Sequence, residues 1–255
     1  MKVVILAGGL GTRISEETGL RPKPMVEIGG MPMLCHIMKI YSNCGFNEFI
    51  ICLGFKGYMI KDYFLNYSKF FSDINIDLES NNIEILSDKS ENWKIKLIDT
   101  GEKSMTGSRI KKIQKYTNNE PFMLTYGDCV TDLDINKVLS FHNKHKKILT
   151  ITASQPKARW GALEISNGIV KSFKEKPKGD GNWINGGFMV CDTRIFDYLS
   201  FNEDCILEQG PMDQIAKDGE MAAFQYDGFW HPMDTLKDKI DLNNLWDLGK
   251  APWKK

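Results

Sequence analysis

After Ala7 the chain reads Gly8-Gly9-Leu10-Gly11-Thr12-Arg13, three glycines in four positions closing on a guanidinium. A loop that bare leaves backbone N–H groups uncovered. N–H groups beside an arginine can cradle an anion of the phosphate type. Two familiar phosphate loops do not fit. A Walker A loop ends in Gly-Lys-Ser/Thr, and no such triplet follows Gly8. The dinucleotide fingerprint asks for a glycine where this chain has Ile14. A lysine arrives separately at Lys23. Pro22 and Pro24 restrict the backbone on both sides of it, so its ammonium is presented from a stiffened segment.

Carboxylates come later in the chain. Asp128 follows Gly127 directly after the apolar run Pro121–Tyr126, at what reads as the end of a buried strand. Asp234 sits in Gly228-Phe229-Trp230-His231-Pro232-Met233-Asp234-Thr235, a stiff aromatic segment before a helical stretch that Asp234 could cap. Two carboxylates together with a triphosphate suit Mg²⁺, which takes hard oxygen ligands, few of them from protein. A third cluster runs from Lys174 to Gly181 and on to Gly187. There Glu175 and Asn185 have the chemistry to bond sugar hydroxyls, and Lys176 to hold a phosphate. A hydroxyl- and glycine-rich loop, Thr100 to Arg109, precedes a basic helix expected over IKKIQKYT.

These groups need a scaffold that brings them together. Val3–Ala7, Phe49–Leu53 and Pro121–Tyr126 are apolar throughout, and helical patterns at Met33–Cys44 and Tyr58–Phe70 separate them. That alternation predicts a parallel sheet covered on both faces. In such sheets ligands bind beyond the carboxyl ends of the strands, where the glycine loop and Asp128 both fall. INIDLESNNIEIL and WKIKLID alternate as half-exposed strands do, with a turn at Ser80-Asn81-Asn82. ILTITA reads as a further strand, and GALEI, GIVKSF and GGFMVC as short strands of an antiparallel or mixed region, which makes the second half β-rich. The reading is one α/β domain, with an exposed helix carrying His142 and His145.

Lys+Arg and Asp+Glu both number 33, and this balance argues against bulk nucleic-acid binding. The first apolar run stops at the glycine loop and no run is long enough to span a bilayer, so a soluble cytoplasmic protein is expected. The six cysteines form no C-x-x-C pair and read as buried free thiols.

With these pieces assembled, the chain resembles the sugar-1-phosphate nucleotidylyltransferases, and among them the glucose-1-phosphate cytidylyltransferase (CDP-glucose pyrophosphorylase) family. LAGGLGTR, RPKPMVEIGG, DTGEKSMTG, TYGD, WGALEI, EKPKGDG-WINGGF, GFWHPMDTLKDK and GKAPWK carry the resemblance from first residue to last. It implies a Rossmann-like, mostly parallel (mixed) sheet flanked by helices, with residues 1–135 serving mainly the nucleotide and 136–255 mainly the sugar phosphate. It implies transfer of CMP from CTP to α-D-glucose 1-phosphate, giving CDP-glucose and pyrophosphate, with Mg²⁺, in a homo-oligomer. Another nucleotide, another sugar phosphate, or a non-catalytic relative are the alternatives. Leu6, Ala7, Gly8, Gly9, Leu10, Gly11, Thr12 and Arg13 would hold the nucleotide, with Arg13 and Lys23 on its phosphates. Ser104, Thr106 and Arg109 would lie near it. Asp128 and Asp234 would bind the metal, and Glu175, Lys176 and Asn185 the sugar phosphate. The chain departs from the family at Ser108 and Cys129, where glycine is usual. It departs again at Trp160 and at Gly210-Pro211-Met212, which fall in the sugar half.

Overall fold

Consecutive side chains of a strand leave opposite faces of its sheet, and Val3–Leu6 (β1) buries all four. Val3 and Ile5 pack with Leu34, Ile37, Met38 and Tyr41, whereas Val4 and Leu6 pack with Ile110, Ile113, Ile195 and Phe196. The unbroken apolar run is therefore explained: the sheet is covered on both faces. A computed structural model of the chain describes residues 1–87, 89–156, 162–166, 169–174 and 183–254.

β1 lies between Glu48–Leu53 (β2) and Phe122–Tyr126 (β4), parallel to both, with Val3 opposite Phe49 and Met123. Lys94–Asp99 (β3) continues the parallel set beyond β2. On the other side of β4, Met189–Cys191 (β8) runs antiparallel, followed by Leu149–Ser154 (β6) and then, parallel to β6, Met221–Tyr226 (β9). Ile184–Asn185 (β7) also pairs with β6, and Gly186 to Phe188 bulge out between β7 and β8. Chain order reverses between β1 and β4, the switch point at which open α/β sheets bind ligands. The carboxyl ends of β1, β2, β3, β4 and β6 all reach the same edge.

Met33–Ser42 (α1) presents Leu34, Ile37, Met38 and Tyr41, one stripe at helical spacing, to the core. Gly57–Leu65 (α2) ends at Asn66, where a second short helix, Tyr67–Phe71, begins, so the expected single helix is broken. The basic helix starts earlier than its pattern suggests, as Thr106–Lys112 (α3). The Met105 and Ser108 N–H groups find tertiary acceptors in the Glu203 and Cys205 carbonyls, so this helix start needs no side-chain cap. Ile135–His145 (α4) is not wholly exposed. His142 is buried, its Nδ1 2.8 Å from Thr150 Oγ1.

Two further helices, Pro211–Lys217 (α5) and Leu236–Asp247 (α6), complete the set used below. Asp73–Asp77 and Asn82–Ser87 form a separate antiparallel hairpin, and so do Ala162–Ser166 and Ile169–Lys174. The six cysteines are unpaired, four of them buried. No helix among the described residues is long and apolar enough to cross a membrane.

Candidate active site

The site begins where β1 ends. Gly11 adopts the left-handed conformation (φ 65°) before a single turn, Thr12–Ile14, and Arg13 projects from that turn with 71% of its side chain exposed. Thr18 Oγ1 donates to the Gly11 and Ile14 carbonyls, and Lys56 Nζ donates to the Thr18 and Gly19 carbonyls, which closes the loop on itself. Pro22 is extended, and Lys23–Met25 make a tight turn. The prolines thus present Lys23 as its sequence suggests, but inward: the residue is 7% exposed.

A short antiparallel ladder brings the carboxylates together. Cys129–Thr131 (β5) pairs with Trp230–Pro232 (β10), Cys129 opposite Pro232, and the Met233 N–H donates to the Asp128 carbonyl at 2.8 Å. In this register Asp128 and Asp234 are neighbours, although 106 positions separate them in the sequence. Asp234 does not cap α6. Thr235 does, in a capping box with Asp238, and Asp238 Oδ2 also accepts the Asp234 N–H at 3.0 Å. The Asp234 side chain is left to face Lys23.

Four charges meet there. Lys23 Nζ donates to Asp128 Oδ2 at 2.6 Å and to Asp234 Oδ1 at 2.7 Å, while Arg13 reaches Asp234 Oδ2 at 2.6 Å. Burial alone would lower the Lys23 ammonium. The charges and hydrogen bonds of Asp128 and Asp234 outweigh it and hold the pKa above that of an ordinary lysine. The two carboxylates converge from a half-buried position, and among the described residues no third His, Cys, Asp or Glu joins them. Two hard oxygen donors already arranged around a cation fit a divalent ion that draws its remaining ligands from phosphate and water.

Arg109 is placed differently. It is 4% exposed, and its guanidinium donates to the carbonyls of Gly8, Leu53, Gly101 and Glu102 and to Thr100 Oγ1. It ties together the loops that leave β1, β2 and β3, so it shapes the glycine loop from beneath. A methyl group on Gly8 would lie 2.2 Å from this guanidinium, which is why the loop must be bare at that position. Ser104 is also buried, donating to the Thr100 carbonyl at 2.6 Å and accepting from Lys112 Nζ at 2.7 Å. Thr106 Oγ1 donates to Glu208 Oε2 at 2.7 Å. Asn185 is exposed on β7 and donates to Tyr126 OH at 3.2 Å. Glu175, Lys176 and Trp160 lie outside the described residues.

Sequence reasoning therefore collected Arg13, Lys23, Asp128 and Asp234, which the fold unites. It gave no site reading for Tyr126 and Glu208, whose side chains join Thr106 to Asn185. Tyr126 immediately precedes Gly127-Asp128 and could have been suspected from that position. Glu208 carries no local signal, because its partners are Thr106 and Tyr126 on distant elements.

Comparison with known proteins identifies the family of the chain. A family model described as nucleotidyl transferase matches residues 2–231. The chain is 53% identical over 255 residues to the glucose-1-phosphate cytidylyltransferase of Salmonella typhi, covering 100% of this chain and 99% of that protein. It is 41% identical over 254 residues to a probable glucose-1-phosphate cytidylyltransferase of Bacillus subtilis, with 100% and 99% covered. Among solved structures it is similar to HddC from Yersinia pseudotuberculosis complexed with GMP-PN. There the TM-score is 0.69 and the identity 26%, over 96% of this chain and 99% of that one.

Proposed function

The chain belongs to the nucleotidyl transferase family, and from that premise we infer that it transfers CMP from CTP to α-D-glucose 1-phosphate, giving CDP-glucose and pyrophosphate. A phosphate oxygen of the sugar phosphate forms a bond to the α-phosphorus of CTP, and the bond to the departing pyrophosphate breaks. The nucleophile is already an anion, so no general base is needed. The obstacle is the approach of one anion to another, in line with the leaving group. What lowers it is positioning and charge neutralisation.

The observation that carries this reading is the meeting of Arg13, Lys23, Asp128 and Asp234 at the end of the glycine loop. In it, the backbone from Leu6 to Thr12 lies against the nucleotide, with Arg13 and Lys23 on its phosphates. Asp128 and Asp234 hold Mg²⁺, which supplies further neutralisation of the triphosphate when bound. Ser104, Thr106 and Arg109 form and brace the nucleotide side, within residues 1–135. Glu175, Lys176 and Asn185 hold the sugar phosphate, within residues 136–255. The unpaired thiols suit a reducing, cytoplasmic setting. A homo-oligomer belongs to the same reading, supported by the hairpin that leaves Ile76, Leu78, Ile83, Ile85 and Leu86 exposed. Sedimentation showing only monomer at micromolar concentration would remove that part.

The test is pyrophosphate release with Mg²⁺ across CTP, UTP, dTTP and GTP, each against a panel of sugar 1-phosphates. Turnover confined to CTP and glucose 1-phosphate is expected. Turnover with CTP and a different sugar would direct attention to Trp160 and Gly210. CTP binding without turnover on any sugar phosphate would make the chain a non-catalytic relative.

A further inference from the structure

Thr106 and Asn185 stand on opposite sides of the proposed cleft, one on the nucleotide side and one on the sugar side. Two side chains, Glu208 and Tyr126, connect them. The loop before α5 docks on the start of α3 through the hydrogen bonds of Met105 and Ser108 to the Glu203 and Cys205 carbonyls, at 2.8 and 3.1 Å. This carries Glu208 over the carboxyl end of β4. Its Oε2 accepts from Thr106 Oγ1 at 2.7 Å and its Oε1 from Tyr126 OH at 2.5 Å. Tyr126 OH in turn accepts from Asn185 Nδ2 at 3.2 Å, and Asn185 Oδ1 accepts the Gly187 N–H at 3.0 Å. Each hydroxyl has a direction imposed on it. Thr106 Oγ1 already accepts the Leu207 N–H at 2.9 Å, and Tyr126 already accepts from Asn185. Both therefore have their proton to give, and the residue between them must accept twice. An ionised carboxylate does so, whereas an amide accepts with only one of its two ends.

A purely structural role is a poor account of this arrangement. Glu208 is half-buried, and no cation pairs with it among the described residues. Its partners among the described residues are the two hydroxyls, so its contacts fix direction rather than neutralise charge. The chain of bonds also ends at the residue assigned to the sugar phosphate and passes Tyr126, two positions before Asp128. We propose that Glu208 is a positioning residue for the transfer reaction, holding Asn185 through Tyr126 at a fixed place relative to Thr106, so that the sugar phosphate is oriented toward the nucleotide. The proposal rests on the transferase reading above.

The test uses full-length wild-type protein, Tyr126→Phe, Glu208→Ala, Glu208→Gln and the Tyr126→Phe/Glu208→Ala double variant. Steady-state kinetics with CTP and glucose 1-phosphate are paired with amide exchange at residues 186–187 without substrates. Tyr126→Phe and Glu208→Ala should each raise KM for the sugar phosphate by about tenfold, the size of one lost hydrogen bond, with kcat changed less than about threefold. Glu208→Gln, which keeps one acceptor, should fall between wild type and Glu208→Ala. The double variant should be no worse than its worse parent, because both substitutions cut one chain. Exchange at 186–187 should quicken in Tyr126→Phe. If Glu208→Ala does not fold, Tyr126→Phe carries the test alone. A sugar-phosphate KM within about twofold of wild type in Tyr126→Phe, or full additivity in the double variant, overturns the proposal. Wild-type protein that turns over no sugar phosphate overturns the transferase reading instead. In that case unchanged exchange at 186–187 in Tyr126→Phe would dispose of the link by itself.

Discussion

Lys23 is the residue on which the most charge depends. It neutralises Asp128 and Asp234 together, and the proposed reaction asks the same ammonium to face a triphosphate. Lys23→Ala should lower kcat/KM by about 100-fold, roughly 3 kcal/mol of transition-state stabilisation, as the loss of one preorganised donor does. A change confined to KM would mean that Lys23 binds ground and transition states alike. The raised pKa makes its ion pairs complete at neutral pH. Their contribution is lost only as the pH climbs above the ordinary lysine value of 10.5 and through the higher folded one. Asp128→Asn and Asp234→Asn should each abolish most turnover while far-ultraviolet circular dichroism stays that of wild type. Near-normal rates in either variant at limiting Mg²⁺ would remove its metal role. Lys23 was legible because two prolines are a local signal. That Asp128 and Asp234 are neighbours was not, since adjacency across a ladder leaves no trace in either segment alone. For Arg109 the sequence pointed to a place near the nucleotide. The structure shows the guanidinium bracing three strand ends, a contact pattern that spacing does not encode.

At the scale of elements, the site depends on how closely β1, β4 and the proline turn approach one another. Gly127 sits where they meet. A methyl group there would lie 2.9 Å from the Leu6 carbonyl oxygen and 3.0 Å from Pro24 Cγ. Backbone cannot yield as a flexible side chain can, so Gly127→Ala should push the start of β5, and Asp128 with it, away from Lys23. The expected cost is about 1–3 kcal/mol of stability, the usual penalty of overpacking. Activity should fall further than stability accounts for. Urea unfolding and turnover of the same preparation check this, and wild-type kcat in a measurably destabilised variant would contradict it. The apolar strands and α1 were readable from period and composition, because both of their faces are set by burial. The helix boundaries near the site were not. α3 begins at Thr106 because carbonyls from residues 203 and 205 receive its first N–H groups. The Asp234 side chain is left to Lys23 and Arg13 because Thr235 and Asp238 cap α6 in its place.

Over the whole molecule, the α/β class and the carboxyl-edge site followed from the alternation of apolar runs and helical patterns. The place of β8 between β4 and β6 and the docking of the last residues did not, because both depend on long-range pairing. The last residues supply the final expectation. Trp253, 3% exposed, donates its indole N–H to His36 Nδ1 at 3.2 Å, and His36 Nε2 lies 2.8 Å from the Ile28 carbonyl oxygen. Only the neutral imidazole with its proton on Nε2 satisfies both partners, since a proton on Nδ1 would confront the Trp253 N–H. Burial, chiefly, lowers the His36 pKa to about 4, and the positive charges of Lys39 and Lys254 act in the same direction. An unfolded chain protonates this histidine near its ordinary value of 6.5, so between 6.5 and about 4 the unfolded state binds more protons and is favoured as the pH falls. The stability at stake is about 3 kcal/mol, full above pH 6.5 and gone near pH 4. His36→Gln keeps a donor for the Ile28 carbonyl and cannot titrate. Whatever its stability at pH 7.5, it should lose less than wild type on acidification. Urea midpoints for both proteins at pH 7.5, 5.5 and 4.5 decide the matter. Parallel losses would assign the acid sensitivity to other groups, His142 and His145 among them, whose pKa values burial also lowers.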